Sequence, residues 1–152
     1  MSHGPATLQD FTWWSGLTVA DAKVGIELAE PRLEREVVDD QAYWLSAAVS
    51  DASPPSPTAW LLPPYDEYTV AYKDRSAVLD PAHGGRISGN GIFYPVIVLD
   101  GRVAGTWKRA IKKGSVVITL SPFAPLKKKQ RQAVAAAAER YGSFLGMPAV
   151  LE

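Results

Sequence analysis

FYPVIVLDGRVAGTWK, residues 93–108, holds two apolar runs on either side of Asp100-Gly101. An Asp-Gly pair between such runs predicts a two-residue hairpin. Both turn residues of that hairpin take positive φ, which these residue types tolerate. The turn would fix the register: Leu99 facing Arg102, Val98 facing Val103, Val96 facing Gly105 and Tyr94 facing Trp107. Side chains alternate along a strand, so one face would carry Tyr94, Val96, Val98, Val103 and Trp107, with Gly105 leaving room for a ring. We take this as the core face. The other face mixes Phe93, Ile97 and Leu99 with Arg102, Thr106 and Lys108, and is expected to be half covered. A third run, Ser115–Leu120, follows Lys112-Lys113-Gly114, which extends the unit to a three-stranded meander.

Upstream, Thr7 is placed to cap a helix running to about Ser15, with Leu8, Phe11 and Trp14 on one face and Gly16 ending it. Thr18 would cap a second helix, Val19 to about Glu30, with Val19, Ala22, Ile26 and Ala29 inward. Two short helices joined by a Gly-containing turn make a helix-turn-helix. Leu33–Val38 and Ala42–Ala47 read as strands around Asp39-Asp40, in the position of a wing. Asp21, Glu27, Glu30, Glu34, Glu36, Asp39 and Asp40 surround Lys23 on the expected outer surface. So acidic a surface does not hold a phosphate backbone, so this part is expected to act as a scaffold.

Ser50–Pro57, SDASPPSP, reads as a linker. The expected organisation is therefore a partial winged helix over 1–49, a linker over 50–58 and a β-barrel-like domain over 59–152. His83–Gly91, HGGRISGNG, lacks the Gly-Lys-Ser/Thr ending of a phosphate loop and is expected to be a flexible loop. Pro125–Gly146 reads as a closing helix, Pro125 at its first position and Gly146 at its end. Its inward stripe would be Leu126, Val134, Ala137, Ala138, Tyr141, Phe144 and Leu145. The fold class is α+β: a reduced winged helix-turn-helix, a small antiparallel barrel-like sheet and a C-terminal helix.

The net charge of zero hides a division. Residues 1–100 carry six Lys/Arg and fourteen Asp/Glu, net −8, whereas residues 101–152 carry ten and two, net +8. Such asymmetry points to a surface that meets an anion. The candidate nucleic-acid contacts are Arg102, Lys108, Arg109, Lys112, Lys113, Lys127, Lys128, Lys129 and Arg131. The alternative is that the acidic half docks against the basic half. Cysteine is absent and the two histidines, His3 and His83, are far apart, so neither a metal nor a cofactor is expected. No apolar run reaches the roughly 18 residues of a membrane span. The first residues do not resemble a signal peptide, so a cytoplasmic location is expected.

Leu61–Leu79 (LLPPYDEYTVAYKDRSAVL), Gly91–Trp107 (GIFYPVIVLDGRVAGTW), Arg140–Gly146 (RYGSFLG) and Asp10–Lys23 (DFTWWSGLTVADAK) occur in this order. Together they resemble the C-terminal half of a winged-helix DNA-binding protein family. That family includes bacterial DNA glycosylases acting on bulky alkylated bases and interstrand crosslinks. The resemblance implies a bacterial DNA-repair protein with duplex DNA as partner. It also implies N-terminal winged-helix domains or a protein partner, and importance for Asp66, Tyr68, Arg75 and Trp107. An Asp66–Arg75 ion pair pinning the loop is the structural alternative.

The family's glycosylases are understood to position water through a Gln-hydrophobic-Gln motif. In the family that motif is expected upstream of the part represented here; the only Gln-x-Gln of this sequence, Gln130-Arg131-Gln132, has a charged centre and falls on the expected C-terminal helix, so the role does not transfer and no catalytic residue is assigned. The expected function is a DNA-binding module that is not catalytic by itself. The alternatives are the C-terminal part of an active glycosylase, and a protein-interaction or small-ligand module without DNA binding.

The turn assignment is directly testable. Gly101→Val should lower the melting temperature markedly, because a β-branched residue is strained at positive φ. An unchanged melting curve would show that the turn is of another type.

Overall fold

The computed structural model describes residues 3–47 and 56–152, so most of the expected linker lies outside the described residues. The chain divides into two units: Met1–Ser53 with Glu67–Asp74, and Pro54–Asp66 with Arg75–Glu152.

The first unit begins with helices α1 (Leu8–Ser15) and α2 (Val19–Ala29). Local chemistry sets both starts. The Thr7 hydroxyl accepts from the Asp10 amide at 3.1 Å while Asp10 accepts from the Thr7 amide at 2.9 Å, a reciprocal cap. Thr18 caps α2 through the Asp21 amide at 3.2 Å. Gly16, at φ 71°, ends α1. Strands β1 (Leu33–Val38) and β2 (Gln41–Ser46) pair antiparallel across Asp39 and Asp40, both at positive φ. On α2 Ala22 is fully buried, but Val19, expected inward, is exposed as the first helical residue.

The short helix α3 (Glu67–Val70) and the residues after it also belong to this unit, although position in the chain suggests the second domain. Three hydrogen bonds from α1 explain the placement. Trp13 Nε1 donates to the Val70 carbonyl at 3.0 Å, Trp14 Nε1 donates to Glu67 at 3.2 Å, and Asp10 accepts from the Lys73 amide at 3.0 Å.

The second unit is a curled five-stranded sheet covered by one long helix. Its strands are β3 (Ala59–Leu62), β6 (Val96–Leu99), β7 (Arg102–Lys112), β8 (Ser115–Pro122) and β9 (Ala149–Leu151), in the order β3-β6-β7-β8-β9. The meander β6-β7-β8 forms as expected. Two features differ from an antiparallel barrel. β9 runs parallel to β8, and β3 and β9 are edges, so the sheet is open. The Gly-rich stretch is more ordered than a loop: helix α4 (Gly84–Ile87) leads into β4 (Ser88–Gly89) and β5 (Ile92–Phe93). These two strands are joined by Asn90-Gly91, both at positive φ, a hairpin turn of the Asn-Gly type.

Asp100 and Gly101 take φ 47° and 76°, and Leu99 pairs with Arg102 and Val98 with Val103, as the turn dictates. The register then shifts. Ile97 pairs with Gly105 and Val96 with Thr106, leaving Ala104 as an extra residue in β7. Such a bulge inverts the facing of everything beyond it relative to the partner strand. Trp107 therefore shares a core with Ile97 and Leu99, not with Val96 and Val98. Both faces of β6 are buried, so Ile97 and Leu99 are fully core, while Tyr94, expected inside, is exposed.

Helix α5 (Lys128–Leu145) supplies the other side of that core through Val134, Ala137 and Ala138. It starts at Lys128, with Lys127 as the N-cap, so Pro125 precedes the helix. Gly146 ends it at φ 68°. Phe144, expected inward, is 84 % exposed. At 3.6 residues per turn it falls about 90° from the centre of the buried stripe.

Gly105 does more than leave room for a ring. A Cβ there would lie 2.6 Å from Pro122 Cα and 2.7 Å from the Ser121 carbonyl oxygen, both backbone. Gly105→Ala should therefore cost about 1–3 kcal/mol, an overpacking penalty, read as a lower denaturation midpoint.

Candidate nucleic-acid interface

All nine candidate cations are exposed, and all lie in the second unit. β7 carries Arg102, Lys108, Arg109 and Lys112, and the β7–β8 turn adds Lys113. The remaining four, Lys127, Lys128, Lys129 and Arg131, sit at the start of α5. The strand β8 separates the turn from the helix. Its eight residues, at about 3.3 Å each, put Lys112 and Lys113 at one end and the α5 cations at the other, about 26 Å apart. The cations thus spread along the sheet unit, with Lys112 and Lys113 at one end of β8, Lys108 and Arg109 beside its middle and the α5 cations at its other end.

Alternation along β7 divides the cations between faces. Arg109 shares the α5 side with Trp107, and its guanidinium donates to the Tyr141 hydroxyl and lies 5.7 Å from that ring. Lys108 and Lys112 point to the opposite face. Arg102 donates to the Ala77 carbonyl at 3.0 Å, and Arg131 to the Leu126 carbonyl at 2.8 Å. These neutral partners leave the positive charge uncompensated. Among the described residues none of the nine cations forms an ion pair with a carboxylate.

The α5 start is built to present charge. The Gln130 side chain accepts from the Lys127 amide at 2.9 Å. A lysine has no acceptor with which to complete the cap, and the first turn holds no acidic residue. The remaining free amide groups lie at the same helix end as the three exposed lysines, and a helix N-terminus favours anions. The cap also gives Gln130 a structural task.

The four positions carried over from the resemblance have different surroundings. Trp107 is 4 % exposed, donates from Nε1 to the Leu62 carbonyl at 2.8 Å, and meets Tyr141 edge-on at 5.3 Å. Arg75 lies 5.1 Å from the centre of the Phe93 ring, and burial lowers its pKa from the ordinary arginine value. Asp66 is partly buried in the same unit, whereas Tyr68 lies on α3 in the first unit. Two further arginines of the second unit were not among the sequence candidates. Arg86 lies 4.3 Å from the Phe123 ring centre, and Arg140 donates to the Ala59 carbonyl at 2.8 Å while lying 5.2 Å from the Trp60 ring centre. Their isolation among apolar and Gly residues hid them from a search for basic runs.

A mixed α+β chain with a helix-covered, cation-rich sheet unit defines the class. The chain matches the DNA glycosylase AlkZ-like family over residues 1–144 and belongs to that family. The fold is similar to the solved structure of Streptomyces sahachiroi DNA glycosylase AlkZ, with TM-score 0.73 and 24% sequence identity over 98% of this chain. This chain spans 42% of the length of that protein. No curated protein matches it closely enough to count as a relative. Among the described residues no helix is long and apolar enough to cross a membrane.

Lysines in a first helical turn oppose the helix dipole. Replacing Lys127, Lys128 and Lys129 together by Glu should therefore raise the stability of the free protein by about 0.3–1 kcal/mol per residue at low ionic strength. A thermal melt at low salt checks this, and a lower melting temperature would show that the lysines are neutralised inside the fold.

Proposed function

We propose that this chain is a DNA-backbone-binding module of an AlkZ-like DNA-repair protein and does not excise bases by itself. One observation carries the reading: nine exposed cations on the second unit, none ion-paired with a carboxylate among the described residues. That unit holds twelve Lys/Arg against five Asp/Glu, net +7. Phosphate contacts of this kind position a protein on a duplex without reading its sequence. The cations at the two ends of β8 are spaced to meet the backbone at two places. At about 3.4 Å of rise per phosphate along one strand, 26 Å covers some seven or eight phosphates.

The two helices and β-hairpin of the first unit support reading it as a reduced winged helix, and we assign it a scaffold role. Asp21, Glu27, Glu30, Glu34, Glu36, Asp39 and Asp40 are all exposed on it, an arrangement that repels phosphate. The reading that this chain does not excise bases by itself is supported by its only Gln-x-Gln, Gln130-Arg131-Gln132, in which the centre is charged and Gln130 caps α5.

A second reading is that these residues form the C-terminal part of an active glycosylase. What favours it is the relation to AlkZ, in which the matching region is under half of the protein. An excision assay on alkylated duplex DNA with this chain alone tests the first reading. Release of base above background would overturn it and place a catalytic site within these residues.

Binding should weaken with salt and depend little on sequence. Each duplex phosphate contact contributes about −0.9 to the slope of log K against log salt, so about four simultaneous contacts give a slope near −3 to −4. Fluorescence anisotropy at several salt concentrations measures it. The Lys127/Lys128/Lys129→Glu variant should flatten the slope and weaken all sequences alike. Lys23→Glu, on the acidic unit, should change affinity little. A loss from Lys23→Glu equal to that from the triple variant would refute the scaffold assignment.

A further inference from the structure

The first unit has a half-open pocket of about 280 Å³ between α1, α2, the β1–β2 hairpin and the residues following α3. Its volume lies just below the roughly 300–1,000 Å³ of drug-sized sites, which suits a single two-ring molecule. Phe11, Trp14, Trp44 and Tyr72 supply aromatic walls. Trp14 Nε1 donates to Glu67 at 3.2 Å, and the His3 ring lies 4.8 Å from the Trp14 ring.

The polar groups of the wall are His3, which pairs with Glu67 at 3.2 Å, Thr7, the Tyr72 hydroxyl and the Asp10 carboxylate. Asp10 lines the pocket and is 7 % exposed. It accepts hydrogen bonds from the Thr7 amide, the Thr7 hydroxyl and the Lys73 amide, all neutral donors. Among the described residues it forms no ion pair. The unit around it carries eleven Asp/Glu against four Lys/Arg, net −7. Aromatic faces attract cations through their quadrupole, and attract them more strongly where water is excluded. The surrounding negative field adds to that attraction and repels anions.

We infer that this pocket binds a small planar aromatic cation, stacked between the aromatic walls with its positive charge toward Asp10. The aromatic lining favours a flat ligand, the volume limits its size, and Asp10 with the negative field of the unit favours positive charge. The inference does not depend on the proposed DNA binding, which concerns the other unit.

The test uses the full chain without DNA and two isosteric probes, N-methylquinolinium and neutral 1-methylnaphthalene. Isothermal titration calorimetry should show the cation binding at least tenfold more tightly. Gly25 also lines the pocket, and a Cβ there meets only Phe11 Cε1, at an ordinary 3.8 Å. Gly25→Leu should therefore fill the space and weaken binding at least tenfold. Its melting temperature should hold or rise, since leucine is the better helix former. If that variant does not fold, Tyr72→Leu, which removes one wall, should weaken the cation at least fivefold. Asp10→Asn should bring the two probes toward equal affinity. Equal affinities for the wild-type chain, absence of binding, or binding that survives every folded wall variant would overturn the assignment.

Discussion

One extra residue in β7 governs the second unit. Pairing from the Asp100-Gly101 turn runs only as far as Val98 and Val103, and Ala104 then has no partner on β6. Beyond it Trp107 lies on the same side as Ile97 and Leu99, where α5 packs. There its Nε1 reaches the Leu62 carbonyl and its ring meets Tyr141. A straight ladder would place the indole on the face of Val96 and Val98, away from Tyr141 on α5. The bulge acts together with Gly105, which lets the end of β8 approach within a distance that no Cβ permits. A larger residue beside Ala104 would push β8 away and remove the surface against which α5 docks.

The helix repeats the device at its other end. A Cβ on Gly142 would stand 2.7 Å from the Met147 carbonyl oxygen and 3.0 Å from the Ala149 amide nitrogen. This close return lets the chain leave α5 at Gly146 and run directly into β9, parallel to β8. The antiparallel direction of α5 relative to β8 follows, and with it the location of the lysines. The helix must begin where β8 ends, so its cations stand at the far end of the sheet from Lys112 and Lys113.

What was legible in the sequence was local. Thr7 with Asp10, Thr18 with Asp21, and Asp100-Gly101 specify caps and a turn through neighbouring atoms, and the structure has them where residue chemistry puts them. What was not legible depends on partners distant in the chain. The bulge is visible only once β8 is beside Gly105, and Glu67–Asp74 joins the first unit through hydrogen bonds from residues more than fifty positions away. The Asn90-Gly91 hairpin is the exception, a local signal obscured by the glycines around it. For the candidate site, the identity of the cations could be read directly, whereas their spread along the sheet unit needed the topology of β8 and α5.

The charge arrangement carries the functional argument beyond composition. Exposed lysines are ordinarily inexpensive, and a solvated face needs no explanation. Three at the beginning of a helix are different, because each opposes the dipole by about 0.3–1 kcal/mol. Their sum, about 1–3 kcal/mol, is a substantial part of the roughly 5–15 kcal/mol by which a domain is stable. Folding alone would favour acidic residues there, and the chain places none in that turn while holding eleven in its other unit. The cost is offset when an anion sits against the lysines, since the helix amides and the ammonium groups then attract the same charge. A phosphate backbone is the anion that fits a surface whose other cations run along an eight-residue strand to its far end.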